Sequence, residues 1–118
     1  MTNLQVTMAC GPYDRLQALK EGIIKPEGID LRYIEIQSPP EIFARMLKTH
    51  SFDIAEMSSA HYITMKSRGN FPYIALPVFP SRLFRHGFIF INRNSGISQP
   101  SDLKDKRIAV QEYRQSAG

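Results

Sequence analysis

Arg82, Arg85 and His86 lie within the stretch Phe79-Pro80-Ser81-Arg82-Leu83-Phe84-Arg85-His86-Gly87, set between two apolar runs, Tyr73 to Phe79 and Phe88 to Ile91. Guanidinium groups present a planar fork of donors that matches a carboxylate, and an imidazole gains or loses a proton near neutral pH. A loop of this composition can therefore hold an organic anion and move a proton beside it. The plainer alternative is that both arginines are solvated loop charges and that His86 packs beside Phe84 or Phe88. The elements around the loop decide how much weight the ligand reading carries.

The 118 residues are enough for one domain with a core, and 42% hydrophobic with 22% charged content is that of a soluble globular protein. The formal charge is +4, but the basic residues are scattered among acids, so no stripe for nucleic acid is expected. No apolar run approaches the roughly 20 residues that cross a bilayer. The start, Met-Thr-Asn-Leu-Gln, lacks the basic and apolar character of a secretion signal, so no membrane partner and a cytoplasmic location are expected. One cysteine, Cys10, cannot form an internal disulfide, and the histidines at 50, 61 and 86 complete no zinc spacing with it. Neither a metal nor an organic cofactor is expected, and a homo-oligomer is compatible with the composition.

Leu4 to Cys10 alternates as a strand, Gly11-Pro12 breaks it, and Leu16 and Leu19 fall at helical spacing between Tyr13 and Glu21. Ile29 to Ile36 alternates again, and Ser38-Pro39-Pro40 opens a helix whose apolar face is Ile42, Phe43, Met46 and Leu47. His50 ends it as an expected cap on the last carbonyls. Phe52 to Met57 reads as a short strand running into Ser58-Ser59, which can cap a helix from about Ala60 to Arg68 that stops at Gly69. The runs 73–79 and 88–92 read as further strands. After Asn94 a polar link with a helical turn at Ser101 to Lys104 leads to a strand at Arg107 to Val110. Strands alternating with helices specify an α/β fold with a mostly parallel sheet and helices on both faces.

Several stretches carry a resemblance: Ala9-Cys-Gly-Pro-Tyr-Asp-Arg15, Lys25-Pro-Glu-Gly-Ile-Asp-Leu31, Phe52-Asp-Ile-Ala-Glu-Met-Ser58, Pro77-Val-Phe-Pro-Ser-Arg82 with Phe84-Arg-His86, and Ser101-Asp-Leu-Lys-Asp-Lys-Arg-Ile-Ala-Val110. Together they resemble the 4,5-dihydroxyphthalate decarboxylase family, which is similar to type II periplasmic solute-binding proteins and thiamine-pyrimidine synthesis proteins. The last stretch recurs widely among solute binders and supports the fold alone. The combination of Gly-Pro-Tyr-Asp, Asp-Ile-Ala-Glu-Met-Ser and Phe-Pro-Ser-Arg-x-Phe-Arg-His is narrower and favours the decarboxylase branch. The resemblance implies two α/β lobes around a hinge. Residues 1–95 would be an incomplete lobe one, and residues 96–118 a link with the first strand of a second lobe. It also implies that the sequence is a fragment or a truncated variant, inactive alone, with a central strand of lobe one missing from its slot.

In open α/β sheets ligands sit beyond the carboxyl ends of the strands. The element order brings Cys10 to Asp14, Glu56 to Ser59 and Phe79 to His86 to that edge. For a hydroxylated aromatic dicarboxylate, Arg82 and Arg85 would clamp carboxylates, with Ser81, Ser58 and Ser59 as neutral donors and Tyr13 stacking on the ring. His86 is the candidate acid, and Glu56 or Asp14 the candidate base. Each has an ordinary alternative: Glu56 as an ion-pair partner of Arg82 or Arg85, Asp14 as a first-turn acid favoured by the helix dipole, Tyr13 as a cover for the helix start, and Cys10 as a small buried hydrophobe. The rival function is a solute-binding protein of the ABC-transporter type that takes a small organic anion without turnover.

Overall fold

Three parallel strands with the order β2-β1-β3 form the sheet of this protein, described here in a computed structural model covering residues 2–69, 71–110 and 113. Strand β1 is Leu4–Cys10, β2 is Ile29–Glu35 and β3 is Ile54–Ala55. The register runs from Leu4 opposite Ile29 to Cys10 opposite Glu35, with Met8 and Ala9 of β1 opposite Ile54 and Ala55. Residues 52–57, expected as one strand, keep only two in the regular ladder. The pairing nonetheless extends past both ends, because Asp53 N donates to Thr7 O and Glu56 N to Ala9 O.

Helix α1 (Gln17–Lys20) follows a 3-10 turn at Asp14–Leu16, α2 spans Pro39–Thr49 and α3 spans Ser59–Ser67. The prolines at the start of α2 occupy positions where a missing N–H costs nothing, and Ser38 precedes them without a side-chain cap. Ser58 does cap α3, its hydroxyl accepting from His61 N at 3.4 Å. Gly69 follows α3 at φ 80, the left-handed geometry a glycine adopts without strain. His50 departs from expectation. Its own backbone takes the left-handed position at φ 49 and closes α2 by donating to Met46 O, while its ring nitrogen meets the Tyr73 hydroxyl instead of helix carbonyls.

The strand alternation explains the two layers. Ala9 of β1 joins Ile36, Ile42, Met46 and Phe52 in the buried cluster, so the face that carries Ala9, Ile34 and Ala55 lies under α2. Cys10 points the other way and is fully buried. On that side Lys20 of α1 reaches Glu35 Oε2 at 2.6 Å, and Leu19 and Leu31 line one shallow cavity, which places α1 over the second face.

Three expected strands are corrected. Residues 73–79 and 88–92 form no ladder, and neither do residues 107–110. At Tyr73 to Ala75 the backbone is engaged by side chains: Tyr73 O accepts from Tyr62 OH and Lys66 Nζ, and Ala75 N donates to Tyr62 OH. Pro77 and Pro80 then remove two donors from the run. Beyond them Ile74, Phe84 and Phe90 stand 85%, 79% and 86% exposed. Their hydrophobicity marks them as burial material, but no neighbouring strand among the described residues offers them an edge. The radius of gyration, 18.4 Å, accordingly exceeds the ~13–14 Å of a closed domain of this length. The polar link carries the expected helical turn as a 3-10 segment at Pro100–Leu103, with Asp102 and Gln99 capping each other.

Candidate functional site

Because all three strands are parallel, the residues following Cys10, Glu35 and Ala55 emerge at one edge of the sheet. Glu56 is the first residue after β3. Its Oε1 accepts from Gly11 N at 2.8 Å and its Oε2 accepts from Tyr13 OH at 2.8 Å, so each carboxylate oxygen is held by a donor from the turn after β1. The turn is itself fixed. Ile36 N donates to Cys10 O at 3.1 Å, and Tyr33 OH donates to Gly11 O at 3.3 Å. Gly11 is buried, and a β-carbon there would lie 3.0 Å from Tyr13 Cε2 and 3.1 Å from Glu56 Oε1. Only glycine leaves room for this clasp.

The electrostatics follow from that packing. Burial pushes the Tyr13 hydroxyl up to about 12, assisted by its bond to Glu56 and by the carboxylate charge, while a bond from Ser81 acts in the opposite direction. Burial likewise pushes the Cys10 thiol up to about 11, with the Glu56 charge adding to it. Tyr33 is raised too, first by burial and then by the neighbouring Cys10. A thiol in this position is protonated at neutral pH, in line with Cys10 as a buried hydrophobe and not a nucleophile.

The cationic loop is tied to the same turn where Arg15 Nη1 donates to Pro80 O, and Ser81 of that loop acts on the Tyr13 hydroxyl in the direction that lowers its pKa. Arg85 Nη2 lies 3.5 Å from Ser81 Oγ and its guanidinium sits 6.0 Å above the Phe88 ring; Arg82 Nε donates to Phe79 O at 3.3 Å. Both arginines are exposed. Among the described residues the ion pairs are Arg15 with Asp14, Lys20 with Glu35 and Arg45 with Glu41, so neither Arg82 nor Arg85 is neutralised by an acid. Glu56 is therefore not their ion-pair partner.

Of the residues selected from sequence, Tyr13 is bonded to Glu56 and Arg85 to Ser81, and Ser58 and Ser59 open α3 directly after Met57. Asp14 and His86 are not drawn in. Asp14 lies on the 3-10 turn with its side chain 94% exposed and receives its own Arg15 N, the arrangement of a first-turn acid. His86 is exposed on a 3-10 turn at Arg85–Phe88, its ring edge-on to Phe84 at 5.1 Å, which is the local packing that its neighbours in sequence allow. Tyr13 spends its hydroxyl on Glu56. Sequence reasoning passed over Gly11, Arg15 and Tyr33. The Gly-Pro break gave a signal for Gly11, whereas nothing in the order of residues marks Arg15 or Tyr33 as contacts of this edge.

Known proteins align with the chain over nearly its whole length. A 4,5-dihydroxyphthalate decarboxylase of Comamonas testosteroni is 44% identical over 117 residues, covering 99% of this chain and 35% of that protein. One of the same name from Pseudomonas putida is 42% identical, covering 99% of this chain and 45% of its own length. The chain thus spans less than half of the curated relatives it matches. The expected resemblance and the α/β binding-protein fold agree with these matches. Residues 14–118 match the model of a family described as "ABC transporter, phosphonate, periplasmic substrate-binding protein", and it is to this family that the chain belongs.

Proposed function

We propose that this chain supplies one half of the site of a decarboxylase acting on a hydroxylated aromatic dicarboxylate of the 4,5-dihydroxyphthalate kind. The observation that carries the reading is the junction of a held carboxylate, Glu56, with a loop bearing two arginines that have no acidic partner among the described residues, at the strand edge where α/β folds take ligands. The names of the two relatives supply the substrate class.

Arg82 and Arg85 clamp the substrate carboxylates, and Ser58, Ser59 and Ser81 add neutral donors. Glu56 takes the proton of the ring hydroxyl para to the departing carboxylate, which pushes electron density to the carboxyl-bearing carbon. His86 protonates that carbon, the carbon–carbon bond breaks, and its electron pair restores the aromatic ring as carbon dioxide leaves. Return of the para proton from Glu56 restores the ring hydroxyl and the carboxylate, and His86 regains from solvent the one proton that each turnover consumes, so the step requires no electron sink beyond the catechol ring. In this assignment His86 swings from its edge-on contact with Phe84 to meet the substrate.

A second reading is favoured by the family match itself: the same edge holds an organic anion without turnover. Incubating the two-lobed protein that contains this half-site with 4,5-dihydroxyphthalate and following 3,4-dihydroxybenzoate by chromatography separates the two. Product formation supports the decarboxylase, and saturable binding with no product supports the binder.

A further inference from the structure

Tyr13 would be a substrate-stacking residue if its ring faced an open cleft with its hydroxyl at liberty. The structure gives it another employment. Its hydroxyl donates to Glu56 Oε2 at 2.8 Å, while Gly11 N holds Glu56 Oε1 at 2.8 Å. Gly11 is bare because a β-carbon would come within 3.0 Å of the Tyr13 ring. From the neighbouring strand, Tyr33 OH secures the Gly11 carbonyl.

We propose that Tyr13 is a positioning residue, which fixes the rotamer of Glu56 at the edge where Arg15 of the same turn holds the arginine loop, so that the carboxylate and the anion-binding loop share one hydrogen-bonded support. This rests on the reading of Glu56 as the base. Glu56, after β3, bonds the Tyr13 hydroxyl directly, and the charges that act on that hydroxyl are those of Glu56 and Cys10, with Ser81 acting in the opposite sense. A substrate-stacking tyrosine needs its ring; a positioning tyrosine needs its hydroxyl. Tyr13→Phe separates the two.

The experiment has an arm independent of turnover. In the full chain labelled with 13Cζ-tyrosine, the Tyr13 resonance is assigned by its loss in Tyr13→Phe and titrated in wild type, Glu56→Gln and Ser81→Ala. Glu56→Gln is expected to lower the Tyr13 midpoint by about one pH unit or more, and Ser81→Ala to raise it, as loss of an acceptor charge and of a donor require. If neither variant moves it, the unit does not exist and the proposal fails. In the second arm Tyr13→Phe is assayed for turnover of 4,5-dihydroxyphthalate in the two-lobed protein with both halves of the site. A fall in kcat of about tenfold with KM within about twofold supports positioning, because the loss then lies in the transition state and not in binding. A raised KM with kcat retained makes Tyr13 a substrate contact and overturns the proposal. Absence of turnover in wild type defeats the decarboxylase reading and leaves the titration to decide the unit.

Discussion

Gly11→Ala probes the packing of the site without altering any charge. A β-carbon at this position meets Tyr13 Cε2 at 3.0 Å, and Tyr13 Cζ and Glu56 Oε1 at 3.1 Å. Overpacking of this kind costs ~1–3 kcal/mol, and the smaller conformational freedom of alanine in the unfolded chain returns ~0.4–1 kcal/mol. The net loss is therefore centred on about 1.3 kcal/mol. With a urea slope of about 2 kcal/mol per molar, the unfolding midpoint falls by ~0.6 M. Two of the three close contacts belong to the Tyr13 ring, so Tyr13→Ala removes most of the obstruction. In a double-mutant cycle followed by circular dichroism, Gly11→Ala should cost about 1 kcal/mol less in the Tyr13→Ala background than in wild type. An equal cost in both backgrounds would mean that contact with Tyr13 is not what keeps residue 11 bare, and the clasp geometry would be refuted.

Arg82→Ala and Arg85→Ala are each expected to raise the substrate concentration needed by at least about tenfold, since charge-assisted hydrogen bonds are worth ~1.5–3 kcal/mol; unchanged kinetics would return both to surface charge. Ile42 is completely buried between α2 and the sheet, so Ile42→Ala should destabilise by ~2–5 kcal/mol in urea melts, and a loss below about 1 kcal/mol would contradict the packing of that face. Asp53 accepts from Thr7 Oγ1 and Thr7 N, both at 2.7 Å, and these bonds hold its carboxyl below the ordinary value of 3.8. A lowered folded pKa stabilises above the unfolded value and loses that contribution as pH falls through the folded one. Asp53→Asn should therefore reduce the pH dependence of stability below about pH 4, and an identical acid limb in both proteins would exclude the linkage.

Much of the sheet was legible because its signals are local. The alternation of Leu4 to Cys10 and Ile29 to Glu35 survives as paired strands, and Ile42 and Met46 are buried on the apolar face of α2 as their spacing requires. Gly69 and the Ser58 cap bound α3 as expected. The apolar runs at 73–79 and 88–92 misled for a physical reason. Composition reports a tendency to be buried, whereas a strand exists only where another backbone supplies the ladder, and Tyr62 and Lys66 take those backbone groups first. The candidate site was legible as a set of charged and hydroxylated residues at strand ends. Its linkage was not. That Glu56 spends both oxygens on Gly11 and Tyr13 depends on a clearance of a few tenths of an ångström at Gly11, and no residue pattern encodes such a distance.

The most direct test is carbon dioxide release from carboxyl-13C 4,5-dihydroxyphthalate, measured for the two-lobed protein in which this chain forms half of the site and for its Glu56→Gln variant. The account predicts labelled carbon dioxide from wild type and release at least ~100-fold slower from the variant, the usual scale for removing a general base. Labelled carbon dioxide released as fast by Glu56→Gln as by wild type, or substrate bound by wild type and never decarboxylated, would contradict it.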